Sequence, residues 1–227
     1  MGSEMCIRDS YVDMKTPGIE AKPIKQISGS ANFNEVFFND VRIPDSQRIG
    51  AEGDGCKVSL TTLMNERLAV GDPPGLDFDQ IFEASKEIEV EDGLAVKNSE
   101  VRQKMADWYI QSRGLQYTKY RSMTALSKGQ TPGPELSISK LVTASKMQDV
   151  SSYALDLMDM SGMVHQDKNP ILKNLFQNGY FFSAAMRIAG GTDEVLRNII
   201  AERVLGLPQD ERSDKKLPFN ELPSGKN

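Results

Sequence analysis

From Tyr11 to Arg48, apolar and polar residues alternate in short runs separated by turn formers, the period-two pattern of strands. Thr16-Pro17-Gly18 marks a turn, Ile19, Ala21 and Pro23 lead to Ile24, and Asn34 to Pro44 reads as a second strand region broken at Asn39-Asp40. Strands this few bury little surface without a partner layer, so the pattern predicts more chain upstream. After the glycine-rich loop Gly50 to Gly55 the spacing changes to three and four. Val58, Leu60, Leu63, Met64 and Leu68 predict a helix that Gly71-Asp72-Pro73-Pro74-Gly75 ends. Phe78 to Val96 is acidic through Glu83, Glu87, Glu89 and Glu91, with Ile81, Phe82 and Ile88 as its only anchors. It reads as a solvated helix or a mobile loop.

Ser99 predicts the cap of a helix carrying Val101, Met105, Trp108, Ile110 and Leu115, which Gly129 to Pro134 stops. Ser137 to Met160 predicts another, with Ile138, Leu141, Val142, Val150, Tyr153, Ala154, Leu157 and Met158 as a wide apolar stripe. A fourth opens at Gly190-Gly191-Thr192-Asp193-Glu194: Thr192 can cap, and two acids sit in the positive first turn. Val195, Ile199, Ile200 and Val204 form its predicted face before Gly206-Leu207-Pro208. Long helices joined by breaker-rich loops predict a mainly α fold, a C-terminal four-helix bundle preceded by a partial β domain. The expected divisions are a non-native-looking leader at 1–10, the β part at 11–50, the bundle at 51–208 and a polar tail at 209–227. The leader abuts what reads as mid-strand sequence, as though the chain were a fragment.

Charge and cysteine content narrow the function classes. Among 227 residues there are 27 Lys and Arg against 32 Asp and Glu, a net charge of −5 that argues against nucleic acid or an anionic membrane as the main partner. No run approaches the roughly 18 apolar residues of a membrane span. Cys6, Cys56 and the single His165 are too few for a disulfide framework or a zinc site, which points to a reducing compartment and no metal.

Residue chemistry offers two candidates. The Gly190-Gly191 pair opens an acid-capped helix whose free N–H groups could hold a phosphate or a polar cofactor edge; the same residues also suit an ordinary turn and cap. Glu66 lies between Leu63 and Leu68 on an apolar helix, where desolvation would raise its pKa toward that of a general base. A salt bridge to Arg67 or elsewhere is the competing reading.

The string Arg187 to Pro208, RIAGGTDEVLRNIIAERVLGLP, resembles the terminal signature of acyl-CoA dehydrogenases. Asn34 to Pro44, NEVFFNDVRIP, and Gly53-Asp54-Gly55 followed by Leu63-Met64-Asn65-Glu66-Arg67 agree with that family in order and spacing. The resemblance runs from about residue 11 to residue 208 and implies the end of the middle β domain and the C-terminal helical domain. It further implies FAD-dependent α,β-dehydrogenation of an acyl-CoA thioester in fatty acid or lipid catabolism. A carboxylate would take the α proton, the β hydride would go to the flavin, and an electron-transferring flavoprotein would receive the electrons.

Many family members carry the base in a Tyr-Glu-Gly-Thr motif. Here Gly190 stands at that place, and the resemblance moves the role to Glu66, as in members with a glutamate on the first helix of the C-terminal domain. It also implies FAD contacts at Thr192, Asp193 and Glu194, substrate contacts at Asn65 and Arg67, a homotetramer or another homo- or hetero-oligomer, and a cytoplasmic or, in a eukaryote, mitochondrial-matrix location. The family's Arg-x-x-Phe-Gly segment has no clear counterpart between Gly75 and Lys97, and Asp156, Met160 and Ser161 stand near its Gln-x-x-Gly-Gly positions. Those departures suit a second reading, a non-catalytic helical subunit or oligomerisation module. An acyl-CoA oxidase would share the same fold.

Overall fold

The structure is a computed structural model that describes residues 8–70, 76–130, 133–164, 174–209 and 221–222; the side chains of 63–70 lie outside that description. Residues 1–7 of the expected leader, the breaker at 71–75, His165 and most of the polar tail therefore fall outside it. The chain divides into two compact units, residues 1–64 with 206–227, and residues 65–205.

In the first unit the alternating pattern becomes a hairpin. Strands β2 (Ile19–Ile24) and β3 (Phe33–Phe38) run antiparallel, in a register that sets Ile19 opposite Phe38 and Ile24 opposite Phe33. Gly18 precedes β2 with a φ of +91°, and a Cβ there would run into the Asn39 carbonyl, so only glycine fits. Strand β1 (Asp9–Ser10) pairs antiparallel with β4 (Arg48–Ile49). Two residues of the stretch set aside as a leader are thus hydrogen-bonded into the unit. Helix α1 (Gly55–Val70) follows, where the spacing of three and four predicts it.

The second unit is helical. The acidic stretch after residue 77 departs from expectation: α2 (Phe78–Ser85) is an amphipathic core helix, with Ile81, Ala84 and Ser85 buried, followed by the short hairpin β5 (Glu89–Val90) and β6 (Gly93–Leu94). Its acids occupy the solvent side, while Phe78 stacks on Phe82 and meets the edge of Tyr109. Composition reports the first face and hides the second.

Helix α3 (Ser99–Ser127) is capped by the Asn98 side chain, which accepts from the Glu100 and Val101 N–H groups; Ser99 is its first residue and not the cap. Only its first half is buried, through Val101, Met105 and Trp108, and the predicted anchor Ile110 faces solvent. Helix α4 (Leu136–Leu157) is central and touches α2, α3, α5 and α6. Its buried positions are mostly small or polar, among them Ser137, Ser139, Thr143, Ala144 and Ser151, together with Lys140 and Lys146. Helices can approach closely over small residues, which is why α4 is enclosed without a purely apolar stripe.

Helix α5 (Leu175–Met186) is absent from the sequence expectations and packs along α4. At Gly179 the two helices are so close that a Cβ would stand 2.6 Å from Ser151 Oγ and overlap Leu76. Helix α6 (Asp193–Ile199), continued by a π turn over Ile200–Val204, closes the bundle. Because Thr192 caps it, the inward positions are Asp193 and Leu196. The predicted inward residue Val195 is exposed.

Candidate functional site

The turn between α5 and α6 is where sequence and structure bring the most chemistry together. The α5 backbone ends with Ala189 N–H bonded to Ala185 O, and Gly190 and Gly191 then turn the chain at φ of +69° and +111°. Both angles lie in the left-handed region that residues with a Cβ rarely adopt. Nothing lies within 4 Å of where a Gly190 Cβ would stand, so the outer side of the turn is open. Position 190, where the resemblance would look for a catalytic carboxylate, therefore offers an open turn and no side chain.

Thr192 Oγ1 accepts from Val195 N–H at 3.4 Å and so starts α6. Glu194 is exposed; its own N–H and the Thr192 hydroxyl hold its carboxyl below the usual carboxylate range. Asp193 faces the other way. Its side chain is 4% exposed, Oδ2 accepts from the Arg187 guanidinium, and Oδ1 lies 4.0 Å from Lys140 Nζ without a hydrogen bond.

Lys140 reaches this turn from the middle of the bundle. Its ammonium, 1% exposed, donates to the Gly191 carbonyl at 2.6 Å. Burial pushes it below the ordinary lysine value, while the Asp193 carboxylate opposes that loss. Arg187 also donates to Gln148 Oε1 at 2.6 Å, so α4, the end of α5 and the start of α6 meet in one polar cluster. Two cations against one buried carboxylate leave this cluster positive inside, with the Glu194 carboxylate outside it.

A second buried lysine lies elsewhere on α4. Lys146 Nζ donates to Asp77 Oδ1 at 2.6 Å and to Ser112 Oγ at 2.8 Å. It borders a cavity of about 520 Å³ between α2, α3 and α4, lined by Tyr109, Leu115, Met123 and Leu136 among others. Neither lysine was legible as a site residue, because hydropathy scores a lysine as exposed whether or not a carboxylate or carbonyl awaits it.

Asn65, Glu66 and Arg67 lie in the last turns of α1, and their side chains are outside the described residues. The turn residues and the Glu66 segment therefore lie on separate elements, at the start of α6 and in the last turns of α1. Asp156 is exposed in the last turn of α4, and Met160 and Ser161 are exposed in the 3-10 turn Asp159–Met163. Among the described residues no group of three or more His, Cys, Asp or Glu could hold a metal ion, and no helix is long and apolar enough to cross a membrane.

Comparison with known proteins places this arrangement. The family model for the acyl-CoA dehydrogenase C-terminal domain matches residues 53–205, from the loop before α1 through the π turn after α6. The acyl-CoA dehydrogenase IpdE1 of Mycobacterium tuberculosis is 33% identical over 202 residues, 88% of this chain and 51% of that protein. Among solved structures, the Tcur3481-Tcur3483 steroid ACAD superposes with a TM-score of 0.74 at 20% identity, over 89% of this chain and 52% of that one. PigA, solved with FAD and proline, gives 0.67 at 23% identity, over 88% and 52%. At these identities the structures speak for the fold. The chain spans about half or less of the length of the curated relatives it matches. A helical unit of this architecture, matched by the family model across its whole extent, shows that the chain belongs to the acyl-CoA dehydrogenase family.

Proposed function

We propose that this chain is the C-terminal part of an FAD-dependent acyl-CoA dehydrogenase of lipid catabolism in which Glu66 removes the α proton of an acyl-CoA thioester. The observation that carries the reading is the family match over 53–205, combined with a carboxylate at position 66 and a glycine at position 190. Losing one glutamate leaves the reaction intact only if another reaches the same carbon. Glu66 accepts the proton from the α carbon, the β hydrogen departs with its electron pair, and the single bond between the two carbons becomes double. FAD, when bound, supplies the acceptor for that hydride. Asn65 and Arg67, flanking the base on α1, are assigned to hold the thioester's CoA portion in line with it.

The α5–α6 turn suits a hydroxyl-bearing stretch of FAD. It is open at Gly190, and it presents the Glu194 carboxylate as an acceptor with Thr192 beside it. Asp193, turned inward and bound to Arg187, contributes by holding the turn. Electron-transferring flavoprotein is the proposed electron acceptor. The exposed aromatic residues Tyr117 and Tyr120 on α3 and Tyr180 and Phe182 on α5 support a homo- or hetero-oligomer.

The test is acyl-CoA-dependent dye reduction by the full-length protein and its Glu66→Gln variant over a panel of chain lengths. Glutamine keeps the volume and removes the base, so turnover falls by about a hundredfold or more while FAD and acyl-CoA binding persist. Turnover within about tenfold of the parent would place the base elsewhere. No activity with any thioester, despite bound FAD, would favour the non-catalytic subunit.

A further inference from the structure

The turn that the proposed function assigns to FAD is shaped from behind by a buried charge. Gly190 and Gly191 have no side chains with which to hold their own conformation, and both occupy left-handed backbone angles. The cap hydroxyl of Thr192 acts only forward, on α6. The Gly191 N–H reaches back to the Ile188 carbonyl at 3.3 Å, and on the inner side Lys140 adds one N–H to the Gly191 carbonyl at 2.6 Å, with the Asp193 carboxylate 4.0 Å away. Arg187 completes the arrangement by tying Asp193 to Gln148 on α4.

Burying an ammonium at 1% exposure is costly, and an apolar residue of the same length would fill the space without that cost. Lys146, the other buried lysine of α4, has a half-exposed carboxylate and a hydroxyl as partners and serves packing between helices. Lys140 instead donates to a backbone carbonyl in a glycine turn, at the point where the chain passes from α5 to α6.

We propose that Lys140 is a positioning residue, which together with Arg187 and Asp193 locks the Gly190–Asp193 turn in the conformation that receives FAD. This rests on the FAD reading above. Two consequences separate it from a general packing role. Loss of the lock loosens the turn while the rest of the bundle keeps its protection, and it weakens FAD more than it weakens the fold.

The experiment compares full-length parent, Lys140→Met, Lys140→Arg and Arg187→Gln by FAD titration and by amide hydrogen exchange followed over peptides spanning residues 187–196 and 99–127. Lys140→Met is expected to speed exchange in 187–196 alone and to raise the FAD dissociation constant about tenfold, as loss of a charged hydrogen bond does. Lys140→Arg recovers most of both effects. Arg187→Gln alters a residue whose side chain is 38% exposed, so it serves if the methionine variant does not fold; it should loosen the same peptide. Exchange in 187–196 unchanged in both charge-removing variants overturns the proposal, whether or not flavin binds. FAD affinity within twofold of the parent also overturns it, as does faster exchange spread equally over both peptides. A parent that binds no FAD overturns the cofactor reading beneath it, and the claim on FAD with it.

Discussion

At the scale of single residues, the two lysines of α4 show how much of this molecule hydropathy hides. A lysine can be buried where acceptors offset part of the cost of desolvating its ammonium, and Lys146 finds Asp77 and Ser112. Burial alone would raise the Asp77 carboxyl, but the Lys146 ammonium, the Ser112 hydroxyl and the Phe78 N–H together hold it below the usual carboxylate range. A carboxyl depressed in the folded state adds stability above its unfolded value, about pH 3.9, and loses it as the pH falls through the lower folded value. Asp77→Asn is therefore expected to be less stable than the parent at pH 7, with the gap closing below about pH 4. Because the Asp77 side chain is 54% exposed, solvent screening keeps the ionic part of that gap small. Urea unfolding of both proteins across this range checks it; a gap that is constant with pH, or that widens in acid, would refute the assignment.

Among the elements, legibility followed the strength of the local signal. Helices α3 and α4 and the start of α6 were readable because caps and breakers bracket a spacing of three and four. Helix α2 reads as a solvated helix or loop because five acids between Asp79 and Glu91 outweigh Ile81 and Phe82 in composition; the helix is there, but Ile81 shares a buried face with Ala84 and Ser85. Helix α5 gave no period to read, since Phe176, Tyr180, Phe181 and Phe182 surround it and only Phe176 of these is buried. The glycine turn was legible as a feature, yet its anchoring by Lys140 was not, because the two are 51 residues apart in sequence. Gly179 in α5 gives the corresponding test. Alanine there gains roughly 1 kcal/mol of helix propensity, but its methyl has to enter the contact with Ser151 and Leu76. Overpacking of a closed core costs about 1–3 kcal/mol, so Gly179→Ala is expected to lower stability on balance. An unfolding midpoint above that of the parent would mean that α5 moves off α4 at no cost.

For the whole molecule the contrast is between a helical unit that closes its own core and a β unit that does not. The core from Leu76 to Met186 includes Ile81, Trp108, Val150 and Phe176, all almost fully enclosed. The β2–β3 hairpin carries apolar side chains on both faces. Phe33 and Phe37 lie with Ile24 on one side and Val36 and Phe38 on the other, and all five are exposed. One face holds a surface contact in Lys22, paired with Glu20 at 3.3 Å and set over the Phe37 ring, but two exposed charges add little. A two-stranded ribbon is marginal in water without a third strand or a covering layer, and this one spans only six residues per strand. In the 227-residue chain by itself, amides of residues 19–38 are therefore expected to exchange close to the rate of an unfolded peptide, while those of α4 are strongly protected. In a full-length protein, whose relatives run to about twice this length or more, the same hairpin amides should slow by orders of magnitude as a sheet forms on it. Hydrogen exchange read by mass spectrometry on both proteins decides the matter. Hairpin protection equal to that of α4 in the short chain would show that the ribbon is held by its own unit and that the exposed phenylalanines await a different partner.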